Sequence, residues 1–105
     1  MSTNHTALNK PKSISETADA QEMLRFWLSE NVDHVSLMVG AVDDAAKEAP
    51  MWGFILADIA KHITQAIRQT NPDGPDATAI MTQIMDGFAE RIKHAPILSG
   101  TVSKD

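Results

Sequence analysis

Two groups of residues in this 105-residue chain have types and spacings that could do chemistry. Asp58 and His62 stand four apart in the apolar run MWGFILADIAKHITQAI, residues 51–67, with Lys61 beside them. On a helix that spacing makes their side chains neighbours. A carboxylate next to an imidazole orients the ring and raises its pKa, as general-base chemistry requires. His34 and Ser36, in the run HVSLMVG, add a second imidazole and a hydroxyl. The four together could build a Ser/His/Asp-type hydrolytic group or line a small-molecule site. The opposing reading is a solvated helix surface. An exposed acid–imidazole pair at this spacing is common and contributes only a few tenths of a kcal/mol. No Gly-x-Ser-x-Gly turn supports a nucleophile. The surface reading carries more weight.

Other chemistries are bounded by composition. Cysteine is absent, which removes disulfides, thiolate metal sites and cysteine nucleophiles and fits a reducing compartment. His5, His34, His62 and His94 are far apart, and no His-x3-His pair or acidic calcium loop exists, so no metal is expected. The two Asp residues of NPDGPDAT read as helix caps, not as ligands. Five scattered glycines make no phosphate cradle, and no cofactor is expected. A net charge of -5, with nine Lys and Arg forming no cluster, argues against nucleic acid as a partner. The longest apolar run is interrupted by Asp58 and Lys61, so no membrane span or membrane partner is expected. The polar opening MSTNHTALNKPKS lacks the basic-then-apolar pattern of a secretory leader, which makes the Asn4-His5-Thr6 triplet a chance match and the cytoplasm the expected compartment. Met23, Met38, Met51, Met81 and Met85 read as core filler sooner than as a soft ligand pocket.

Four elements must position whatever site exists. Residues 1–14 lack an apolar period and read as a disordered tail, and 96–105 as a flexible end, leaving 15–95 as one domain. Ser15 is a plausible cap for a short helical start through Ala18, Ala20 and Met23. From Met23 onward a helix and a strand compete. As a helix, Ala20, Leu24, Trp27 and Leu28 align; as a strand, Leu24, Phe26 and Leu28 share one side. The alternation of Val35, Leu37 and Val39 in the next run needs a partner strand, and 23–29 supplies it. A four-residue loop, 30–33, would set Leu28 opposite Val35, Phe26 opposite Leu37 and Leu24 opposite Val39. Trp27 would face Ser36, and Arg25 would face Met38, on the other side.

The segment 41–50 reads as a loop or an irregular turn of helix, with Pro50 in the first turn of a helix that runs to Gln69. Trp52, Ile55, Leu56, Ile59, Ile63 and Ile67 form its apolar face, and Asp58, Lys61, Gln65 and Arg68 the opposite one. NPDGP at 71–75 ends that helix. Asp76 or Asp73 then caps a second, to Lys93, with Ile80, Met81, Ile84, Phe88 and Ile92 at helical period. So short a link makes the two helices an antiparallel pair.

The runs EMLRFWLSE, HVSLMVG and MWGFILADIAKHITQAI, within residues 22–69, resemble a small bacterial family known as domain of unknown function 5076. Its characteristic segment is similar to Trp52-Gly53 followed by Asp58, Ala60, Lys61 and His62. The resemblance implies no activity, substrate or catalytic residue. It favours the hairpin, because members are β-branched over the region that corresponds to 23–29.

The expected fold is therefore α+β, a β-hairpin packed on an antiparallel helix pair in the order β-β-α-α. Two strands alone are marginal in water and their edges invite pairing. A two-fold dimer would extend the sheet and cover Arg25, Trp27 and Met38; the alternative is that the N-terminal segment folds back over this face in the monomer. The expected role is a non-enzymatic binding or assembly module that self-associates through its hairpin or serves a protein partner.

Overall fold

The computed structural model describes residues 7–14, 19–40 and 42–94, and the backbone of 101–104. The expectations for residues 1–6, the cap at Ser15, Ala18 and residues 95–100 and 105 fall outside the described residues. Residues 7–14 contain no helix or strand; a turn closes from the Ile14 N–H to the Pro11 carbonyl at 3.0 Å. Residues 19–23 are likewise neither helix nor strand, so the helical start is not formed there.

The α+β order is as expected, hairpin then helix pair. Strand β1 is Leu24–Ser29 and antiparallel β2 is Val32–Leu37. Helix α1 is Ala45–Thr70 and α2 is Ala77–His94. A further strand, β3, Thr101–Lys104, pairs parallel to β2 and gives the sheet order β1-β2-β3. The end of the chain thus contains a strand where a flexible segment was expected. Four residues hold too little alternation to announce a strand, and the two helices supply the long crossover that a parallel partner needs.

The hairpin turns more tightly than the apolar pattern implied. Glu30 and Asn31 both have positive φ, 54° and 64°, and Ser29 pairs with Val32. This is a two-residue primed turn, whose twist matches that of the flanking strands. The register therefore shifts by two: Leu24 pairs with Leu37, Phe26 with Val35 and Leu28 with Asp33. A shift of two keeps every side chain on its expected face, since side chains alternate with period two.

Helix α1 starts five residues earlier than Pro50. Asp44 is the N-cap, its side chain accepting from the Ala46 N–H at 2.9 Å, and the Lys47 N–H reaches the Asp44 carbonyl at 2.9 Å. Good helix formers at 45–49 outweigh the one intrahelical bond that Pro50 cannot donate. The cap on α2 is the expected Asp76, which accepts from the Ala79 N–H at 2.9 Å. Between the helices the Gly74 N–H closes a turn on the Asn71 carbonyl at 3.0 Å, and Arg68 donates to the Pro75 carbonyl at 3.1 Å.

Packing is shallow. Among the described residues the buried side chains are Ile80, 4% exposed, and Thr64, 6% exposed, where α1 meets α2. The Thr64 hydroxyl is satisfied by donating to the Ala60 carbonyl at 2.9 Å. Among the described residues no strand Cα lies within 8 Å of a helix Cα, a spacing that still allows side chains between the two layers, since packed layers lie about 10 Å apart. On the sheet, Phe26 and Leu28 stay exposed.

Candidate functional site

Asp58 and His62 project from the middle of α1, and both are exposed. The Asp58 Oδ1 lies 3.9 Å from the Lys61 ammonium, with both side chains about seven-tenths exposed at 70% and 73%. Asp58 is thus paired with a lysine one turn along its own surface. His34 and Ser36 lie on β2, opposite Trp27 and Arg25 respectively. His34 and Ser36 stand on the sheet and Asp58 and His62 on α1, and among the described residues no strand Cα lies within 8 Å of a helix Cα. Among the described residues no three His, Asp or Glu side chains converge either.

An exposed ion pair of this kind contributes roughly 0.2–0.5 kcal/mol. Asp58→Asn and His62→Gln, singly or together, are therefore expected to leave the urea unfolding free energy within about 0.5 kcal/mol of the parent. A loss of several times that size would show that these two side chains have partners beyond their own helix.

The interface candidates fare differently, because the sheet does bring them together. Trp27 pairs with His34 and Arg25 with Ser36, and the Met38 N–H continues the ladder to the Met23 carbonyl at 2.9 Å. Pairing puts Met23, Arg25, Trp27, His34, Ser36 and Met38 on one face. The Arg25 guanidinium is held by the Glu22 carboxylate at 2.9 Å on the surface. Trp27, His34, Ser36 and Met38 are half-buried and Arg25 is exposed. A shallow hollow of 270 Å³ is lined in part by Glu22, Met23, Arg25, Ser36 and Met38 at the open end of the hairpin. With β3 on the far side of β2, the free edge of the hairpin is β1. The expectation of two open hairpin edges is corrected accordingly.

Two features escaped the reading of the sequence. Glu48, in the segment that reads as loop or an irregular helical turn, accepts from the Gly40 N–H at 3.1 Å and from the Trp52 indole N–H at 2.7 Å. Its i,i+4 spacing to Trp52 was the available signal. The second feature is the apolar face of α1, expected to be core. Leu56, Ile59, Ile63 and Ile67 are 46%, 36%, 44% and 37% exposed. On α2, Met85, Phe88 and Ile92 are more than half exposed.

Among the described residues no helix is long and apolar enough to cross a membrane. No curated protein matches the chain. A solved structure from the photosynthetic bacterium Rhodopseudomonas palustrus CGA009, described as that of "a putative pyruvate dehydrogenase", is similar to it at 21% identity and a TM-score of 0.64, over 94% of this chain and 95% of that one. At that identity the likeness shows the fold alone. The sequence pattern of domain of unknown function 5076 (DUF5076) extends over residues 7–95, well beyond the segment around Trp52 and His62, and the chain belongs to that family.

Proposed function

We propose that this chain is a non-catalytic assembly module that works as a self-associated form, a homodimer, in the bacterial cytoplasm. One observation carries the reading: large apolar side chains on the sheet and on both helices are left open to water. Large exposed apolar patches mark interaction surfaces in folded proteins. The hairpin contributes through its open β1 edge and the Trp27 face beside it. The open exposure of Asp58 and His62 on α1, with His34 and Ser36 on the sheet, supports a non-catalytic role. A cysteine-free composition fits a reducing compartment such as the cytoplasm.

Sedimentation equilibrium of the full chain tests the proposal. The expected mass is twice that of the 11.4 kDa chain, falling only at high dilution. A single 11.4 kDa species at every concentration that can be loaded would overturn it.

A further inference from the structure

We infer that a second copy of this chain docks on the exposed apolar stripes of α1 and α2, so that the helices, more than the hairpin edge, hold the assembly together. This inference rests on the self-association proposed above and names its surface.

On α1, Leu56, Ile59, Ile63 and Ile67 recur at i, i+3, i+7 and i+11, which is one line along a helix. On α2, Met85, Phe88 and Ile92 do the same at i, i+3 and i+7. The contact between α1 and α2 lies beside these lines, with Ile67, at the end of the α1 line, bordering a hollow shared with Ile80. It buries Thr64, about 100° round α1 from Ile63, and Ile80, about 80° round α2 from Phe88. Each helix therefore spends one line on its neighbour and keeps an apolar one beside it.

Area and supply identify the occupant. The exposed fractions of the seven residues amount to roughly 700 Å² of surface, close to the ~800 Å² per partner of a standard stable interface. A chain in which Ile80 is the buried hydrophobic side chain among the described residues has little burial to offset its conformational entropy. Its cover must be present whenever the chain is folded, and an identical copy always is. A two-fold axis applies the same uncharged stripes to each other and closes at two copies. The six residues of the β1 edge, Leu24–Ser29, offer backbone pairing but remove much less apolar surface from water.

The test uses the full chain and sedimentation. Ile63→Glu and Phe88→Glu each place a charge on a stripe, and each is expected to weaken association by roughly 100-fold, as at the centre of an interface. Trp27→Ala, on the sheet face, is expected to change it by less than about tenfold. Because a glutamate on the stripe can also prevent folding, single-cysteine variants of this cysteine-free chain provide a second reading. In the assembled protein Ile63→Cys and Phe88→Cys are expected to react with a thiol reagent about tenfold more slowly than Gln65→Cys, on the wet side of α1, and to catch up on dilution. If the parent dimerises but both glutamate variants dimerise equally well, or both stripe thiols react as fast as the one at position 65, the inference is overturned while self-association stands. A monomeric parent removes both.

Discussion

Truncation of Ile80 to alanine is expected to lower the free energy of unfolding by about 2–4 kcal/mol, measured by urea denaturation at one fixed protein concentration. Ile80 is 4% exposed and sits at the start of α2, where its N–H bonds the Asp76 carbonyl at 3.0 Å. Removing its outer carbons forfeits their transfer free energy and leaves a hole against α1. Cap and turn hold both helix ends, so the site has little freedom to collapse into that hole. Phe54→Ala is the matched control. Phe54 is a larger side chain but is 71% exposed, outside both helix stripes, so its loss is expected to cost less than about 0.5 kcal/mol. Equal effects of the two substitutions would mean that the contact between the helices does not centre on Ile80. In a protein with so small a buried core, the Ile80 loss is a large share of the whole stability.

That contrast shows what could be read from the sequence and what could not. Helical period marks Ile80 and Phe88 equally as apolar-face residues, yet one is buried and the other is 56% exposed. Periodicity reports which side of a helix avoids water. It carries no information on whether the cover comes from the same chain or another. The hairpin shows a similar division. Alternation identified both strands and the face of each residue, and those survive because a shift of two preserves parity. The register itself depends on the turn. Glu30-Asn31 lacks the glycine that usually announces a primed turn, so four residues were assigned to a loop that needs two. Asp76 and the 71–75 punctuation were legible because capping and turn formation are local chemistry. Strand β3 was not, since its partner β2 lies two helices away in the chain.

The candidate site divides along the same line. The i,i+4 spacing of Asp58 and His62 does make them neighbours on α1, but the Asp58 carboxylate lies at 3.9 Å from Lys61, three residues on. Whether His34 and Ser36 meet them depends on how the sheet sits against the helices, a long-range matter that spacing within a run does not encode. Arg25, Trp27 and Met38 share one sheet face because a single local hairpin orders them, although Arg25 pairs with Ser36 and Trp27 with His34.

Glu48→Ala is expected to cost about 1–3 kcal/mol, as for loss of hydrogen bonds to a charged group. The Glu48 carboxylate takes one donor from each side of the junction between sheet and helix: the Gly40 N–H after β2 at 3.1 Å, and the Trp52 indole N–H on α1 at 2.7 Å. Gly40 holds φ at +87°, a conformation that suits glycine, and so turns its N–H towards the helix without strain. Alanine at 48 leaves both donors without this acceptor, whereas Glu48→Gln keeps one oxygen and is expected to cost about half as much. The loss has a local signature. In a Trp27→Phe background Trp52 is the remaining tryptophan, and its emission is expected to move to longer wavelength as the indole loosens. Amide exchange at 38–44 is expected to accelerate in Glu48→Ala, while exchange in the 76–94 segment follows the global stability. If exchange at 38–44 keeps the parent rate relative to the helices, the carboxylate is a surface group and the junction is held by something else. If it accelerates, the orientation of the sheet relative to α1 is set in part by one side chain, and that orientation governs which apolar faces of the chain remain open for a second copy.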